Sequence, residues 1–314
     1  MPRQRRSSNG SISPKQMKDA IRKSGYLLEQ RIEPIIAESG YYVETNPVFQ
    51  DPQTGKSREI DMRALAGVGV YKKEGSFIFP TLLCECENNA QPAVFFTKES
   101  ILSFTYCEDL KTSGIPVKFW EDDGYVSLAE FTKMEKFHHY CKGDIATQYC
   151  TFQLKKDKSS WIAFHSEEQH DTFSKLIKAV DYEVGEHYKG WSPPEKVDEE
   201  VINIQIYYPL LILEGGLYSA YLKNNRLVLR KSEHVQFRTQ LFSSYNNEIE
   251  TYQIDVITEK YLPRYLRVVE FEIERIKKAL QRKRSNVFES IEKIVEEARR
   301  DKEKAPSYRK YLEF

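Results

Sequence analysis

The chain carries no excess of either charge: Lys plus Arg and Asp plus Glu stand at 47 each in 314 residues. A neutral total excludes neither a nucleic-acid nor a protein partner, because phosphate is bound by a local basic patch. No apolar run nears the roughly 18 residues that a membrane span needs. The longest, Tyr207 to Leu213, contains Pro209 and reads as a buried strand. Cysteine is scarce and odd in number, at five. Cys84 and Cys86 sit two apart on one strand, a spacing that a normal disulfide does not accept, so reduced thiols are expected. The first six residues, Met1 to Arg6, lack the apolar segment of a secretory leader, and a cytoplasmic location is expected. There is no Gly-x-Ser-x-Gly elbow, no glycine-rich phosphate loop and no repeat of solenoid period.

Histidine is also sparse, at six. The run His138-His139-Tyr140-Cys141 falls in a segment, Leu128–Tyr140, that reads as helix. Adjacent side chains there would point about 100° apart. No second Cys/His pair has finger-like spacing, so a zinc site is not expected.

What is present is regular structure of both kinds. A helix is expected after Ser13-Pro14, and another from Tyr26 to Ser39, with Leu28, Ile32, Ile35 and Ile36 at helical spacing and Gly40 as the stop. Three strands follow: Tyr41–Gln50, Arg58–Val68 and Phe77–Glu87. The first two are joined by the turn signal Asp51-Pro52-Gln53-Thr54-Gly55-Lys56. Further on come a helical segment near Ile101–Leu110, a strand at Ile115–Trp120 and a hairpin from Gln148–Leu154 to Trp161–His165. A helix, Glu167–Tyr182, precedes the apolar strand Val201–Leu213. A hairpin closes around Asn224-Asn225, Tyr252–Ile257 is another strand, and the chain beyond Pro263 is helix-forming and charged. In the last part, Arg275 to Arg284 holds six basic residues and no acidic one; it reads as a solvated helix end or a phosphate contact.

Two acidic stretches stand out, Arg58-Glu59-Ile60-Asp61-Met62-Arg63-Ala64 and Leu82-Leu83-Cys84-Glu85-Cys86-Glu87-Asn88. Strand side chains alternate between faces. Glu85 and Glu87 therefore share a face, and Asp61 is expected opposite Ile60 and Met62. If the strands are neighbours, three carboxylates converge, and a divalent cation with oxygen ligands is the usual neutraliser of such a group. Each residue also has a plain reading as a solvated side chain on an exposed sheet face or helix flank. The apolar pair Leu82-Leu83 argues that the third strand is buried on both sides.

These stretches resemble the PD-(D/E)XK nuclease superfamily, the restriction-endonuclease-like enzymes, whose core opens helix, strand, strand, strand. Asp61 matches the family's metal-binding Asp, Glu85 the acidic residue of its second motif, and Glu29 the acidic position often found on its first helix. Glu87 stands where the family pattern has Lys. The resemblance implies an α/β fold, a mixed sheet flanked by helices, over residues 14–262. About 90–165 would be a large insertion, 1–13 a disordered basic tail and 263–314 a C-terminal helical extension. It further implies Mg²⁺ (or Mn²⁺) held by Asp61 and Glu85, and hydrolysis of nucleic-acid phosphodiester bonds, DNA ahead of RNA. A place in a defence system and action as a homodimer are also within the family's range. Glu87 could act as a general base, or the missing Lys could come from elsewhere, with Lys98 and Lys72 as donors. Alternatively, the chain is a degenerate nuclease-fold module that binds nucleic acid or a protein partner without cutting.

Overall fold

The computed structural model describes residues 11–72, 75–99, 103–165, 167–189, 202–243 and 248–302. The expected basic tail, up to residue 10, and the break at Gly190–Pro194 lie outside them. Helix α1 (Pro14–Lys23) starts at a capping box: the Ser13 hydroxyl accepts from the Gln16 N–H and Gln16 reaches back to the Ser13 N–H, with Pro14 in the first turn. Helix α2 (Tyr26–Glu38) buries Leu28, Ile32 and Ile36, runs through Pro34, and gives way to Gly40 at φ +89°.

Strands β1 (Tyr42–Thr45) and β2 (Val48–Gln50) pair in turn with β4 (Met62–Leu65) and β3 (Ser57–Glu59). The expected continuous strand Arg58–Val68 is therefore broken. β3 belongs to a separate two-stranded sheet, and the chain bends at Asp61 before β4 joins the main one. The reason lies in the flanking side chains: Ile60 and Met62 are claimed by different cores on opposite faces of the sheet. The same segment ends in β5 (Val68–Gly69), and β6 (Phe77–Glu87) follows with the expected bounds.

Strands β7 (Ala93–Lys98) and β8 (Thr112–Ile115) join the main sheet, whereas β9 (Lys118–Glu121) and β10 (Gly124–Ser127) form a hairpin of their own. One strand was expected across Ile115–Trp120; the chain breaks it at Pro116, which has no N–H to offer a ladder. The expected helix Leu128–Tyr140 is likewise shorter. Helix α3 (Leu128–Thr132) ends where Lys133 turns to φ +60°, and 3₁₀ turns follow at Met134–Lys136 and His139–Cys141. Strands β11 (Ile145–Leu154) and β12 (Trp161–Phe164) form the expected hairpin, and helix α4 (Glu167–Lys189) follows.

Strand β13 (Asn203–Leu213) runs parallel to β6 over its whole length. Then come β14 (Leu217–Lys223), β15 (Arg226–Ser232), β16 (His234–Ser243) and β17 (Glu248–Thr258), closed by helices α5 (Leu262–Arg282) and α6 (Arg284–Lys302). The 13-stranded mixed sheet has the main order β1-β4-β6-β13-β17-β16-β11-β7-β14-β15. One face is covered by α2, α5, α6 and α3 through Leu28, Ile32, Val269, Ile276, Val287 and Phe131. Helix α4 covers the other core, where Phe173 packs on Phe95 of β7, Tyr149 of β11 and Phe237 of β16, three neighbouring strands. Each such side chain adds about 1.5–3 kcal/mol of burial energy. Among the described residues no helix is long and apolar enough to cross a membrane.

Candidate functional site

The carboxylates meet at the C-terminal end of β6. β4 and β6 are antiparallel neighbours with Met62 opposite Cys84, so the next step along each chain sets Asp61 beside Glu85. At the bend, the Asp61 carboxylate takes the place of a ladder group and Oδ2 accepts the Cys86 N–H at 2.7 Å. Glu85 lies on the α4 side of β6, with Leu83, and is 5% exposed. The opposite side carries Leu82, Cys84 and Cys86, as alternation requires.

Helix α4 supplies what β6 lacks. Lys175 Nζ lies 2.5 Å from Glu85 Oε2, and three residues earlier Thr172 Oγ1 donates to Glu87 Oε1 at 2.7 Å. The cation of this site therefore comes from a helix and not from the strand position that Glu87 occupies. The donors expected from sequence lie elsewhere. Lys98 ends β7, with four strands between it and β6 in sheet order, and Lys72 lines a cleft with Lys277 and Arg284.

Glu85 Oε1 is buried with no hydrogen-bond partner. Such an atom is costly unless a cation or donor meets it. Burial first, and then the charge of Asp61, push the Glu85 carboxyl up to about 8, against the pull of Lys175. Burial also raises Asp61, opposed by the Cys86 N–H and Lys175 and aided by Glu59. Glu29, on the first turn of α2, is raised by partial burial and by Asp61 and Glu59. Glu29, Asp61 and Glu85 thus share one electrostatic field, and Glu59 at the end of β3 adds a fourth carboxylate that the sequence reading did not single out.

An orphaned Glu85 oxygen beside Asp61 fits a hard divalent ion. Mg²⁺ is commonly bound by one or two carboxylates and keeps several waters, so a closed protein cage is not required. Glu29, Asp61 and Glu85 do not form a trio with ligand atoms mutually within 4.8 Å. Among the described residues such trios occur at His138, His139 and Glu272 and at His139, His234 and Asp255.

The basic run of α5 sits elsewhere. Gln281 donates to the Val70 carbonyl and Tyr71 to that of Leu280, which holds this part of α5 against the segment before β6, at the other end of the strand from Glu85. Lys175 carried a weak sequence signal, a lysine beside the apolar stripe Phe173, Leu176, Ile177 and Val180. Lysines flank such stripes routinely with their stems on the core. Comparison with family models, curated proteins and solved structures finds no match for this chain.

Proposed function

We propose that this protein hydrolyses phosphodiester bonds of nucleic acid in a metal-dependent reaction, on a core resembling the restriction-endonuclease-like enzymes. The observation that carries the reading is the Glu85 carboxylate. One oxygen is paired to Lys175, the other is buried and unpartnered, and Asp61 lies alongside. Asp61 and Glu85 would hold Mg²⁺ or Mn²⁺, which supplies Lewis-acid polarisation of a phosphate and a lowered pKa for bound water.

The chain's own groups supply the rest. Lys175 provides the positive charge that family members place on the third strand, aimed at charge developing on phosphate oxygens. The Thr172 hydroxyl fixes the Glu87 carboxylate, which is then oriented to accept a proton from the attacking water. Glu29, partly exposed at the start of α2, assists from the helix side of the cluster. We place the protein in a reducing compartment, the cytoplasm, since all five cysteines are free and buried.

One observation favours the rival reading of a module that binds without cutting: the basic run of α5 lies at the opposite end of β6 from the carboxylates. The two readings separate in one assay. Mixed single- and double-stranded DNA and RNA are incubated with the protein and Mg²⁺ or Mn²⁺, beside Asp61→Ala. Metal-dependent cutting that disappears in the variant supports the enzyme; intact substrates together with retention of labelled nucleic acid by both proteins support the binding module.

A further inference from the structure

A second constellation lies on the other side of the molecule's chemistry, where the sequence reading expected nothing. His138 and His139 were placed on a helix, pointing apart. Instead His138 is extended, at φ −70° and ψ 137°, and His139 opens a 3₁₀ turn, so their rings stack at 4.9 Å. Three elements, α5, β17 and β16, then converge on His139. Its Nδ1 lies 2.9 and 3.0 Å from the two carboxylate oxygens of Glu272 on α5, and its Nε2 lies 3.0 Å from Asp255 Oδ2 on β17. His234 Nε2, at the start of β16, is 2.7 Å from Asp255 Oδ1. Tyr265 donates to Asp255 Oδ2 at 2.7 Å, and Gln236 donates to the His139 carbonyl at 2.6 Å. One ligand atom each from His139, His234 and Asp255 lies within 4.8 Å of the other two.

We propose that His139, His234 and Asp255 bind a zinc-class divalent ion, with Glu272 holding the His139 ring from behind. Four observations carry this. Two imidazoles and one carboxylate are the donor set of open zinc sites, in which three protein ligands leave a fourth position free. That free position has somewhere to face: a cavity of about 410 Å³ is lined by His139, His234, Glu272, Lys142, Arg264 and Arg267. The Glu272–His139 contact supplies the carboxylate that a metal-bound histidine takes at its other ring nitrogen, fixing tautomer and orientation. Charge gives the fourth. Asp255 and Glu272 are both fully buried, and a His139 imidazolium offsets one of them. A divalent ion in place of the Nε2 proton offsets both.

Donor atoms on one tetrahedral zinc ion are ~3.3 Å apart. The His139 and His234 nitrogens lie 3.0 and 2.7 Å from the two oxygens of Asp255, and within 4.8 Å of each other, so a small side-chain adjustment brings one atom of each residue onto a common ion. His138 Nε2, fully buried with no hydrogen-bond partner and 3.5 Å from Glu272 Oε2, remains as the donor that steadies Glu272 when His139 turns to the ion. The lining cations Lys142, Arg264 and Arg267 suit an anionic fourth ligand, and inorganic phosphate is the simplest probe.

The test uses the full chain, stripped by chelator and re-equilibrated with Zn²⁺ or Co²⁺. Zinc retained after desalting is measured by elemental analysis, and Co²⁺ by its visible absorption. The inference expects one zinc per chain in the wild type and in Glu85→Gln, which separates this site from the acidic cluster. It expects a Co²⁺ band that zinc bleaches and inorganic phosphate shifts. His234→Ala removes a direct ligand and should lose more than the ~10–100-fold that an outer-shell change costs, while circular dichroism stays native. Should alanine disturb the fold, His234→Asn keeps a donor towards Asp255 and must show the same loss. No retained zinc and no Co²⁺ band in the wild type, or binding unchanged in both His234 variants, would overturn the inference and leave His139 as an imidazolium clamp between two carboxylates.

Discussion

Lys175 of α4 reaches across to Glu85 of β6, Nζ to Oε2 at 2.5 Å, and so brings a cation to a strand whose own next outward position is the acidic Glu87. The helix–strand pair is thus one electrostatic unit. Lys175 contributes charge that β6 cannot, and Glu85 keeps a second oxygen available.

From this pairing follows the behaviour of a Lys175→Met variant. It should still bind Mn²⁺, since both carboxylates remain, and should lose about 10²–10³-fold in the rate of phosphodiester cleavage. Glu87→Gln should cost less, about tenfold, because the Thr172 hydroxyl can still orient the side-chain oxygen. Single-turnover rates at saturating metal distinguish the two.

Two aspartates ten residues apart should respond in opposite ways. Asp61→Asn keeps an oxygen for the Cys86 N–H, so its thermal midpoint should stay within a few degrees of wild type while metal-dependent activity is lost. Asp51 is fully buried between Arg58 and Lys178 and accepts the N–H groups of Gln53 and Thr54. Asp51→Asn leaves Lys178, itself 8% exposed, without its counter-charge, and should cost about 3 kcal/mol in urea unfolding.

Acid stability follows from the same buried aspartate. Burial alone would raise its pKa, but Arg58, Lys178 and the two backbone N–H groups hold the carboxyl well below the ordinary range. The folded pKa is depressed, so its stabilisation is complete above the unfolded value of about 3.9 and is lost as pH falls below that point. Denaturant midpoints measured from pH 5 down to pH 2 should fall steeply in the wild type and less so in Asp51→Asn.

Gly114 tests the sheet itself. It sits at φ +114° where β8 pairs with β13, and a Cβ there would lie 1.7 Å from the Asn203 carbonyl oxygen. Gly114→Ala should destabilise the fold by about 3 kcal/mol or more, read from the shift in urea midpoint.

Much of the architecture was legible because periodicity reports burial. The apolar spacing of Leu28, Ile32 and Ile36 marks α2, and the apolar stretches of β6 and β13 mark central strands buried on both faces. Asp61 and Glu85 were visible as carboxylates in apolar surroundings, and β4–β6 pairing brings them together. The bend at Asp61 was not visible, because it depends on Ile60 and Met62 entering different cores. β16 was legible in principle and was not identified: Val235, Phe237 and Leu241 alternate with polar residues in the period-2 pattern of a half-buried strand. The His139 cluster joins residues from four distant segments, and only tertiary structure can assemble it.

The most direct measurement is calorimetric titration of Mn²⁺ into the His234→Ala protein, in which the imidazole cluster is disabled, beside the same protein carrying Asp61→Asn. The account predicts binding of Mn²⁺ in the first and its loss in the second. Equal binding in both, or none in either, would contradict the assignment of Asp61 and Glu85 as the metal-holding pair of a phosphodiesterase.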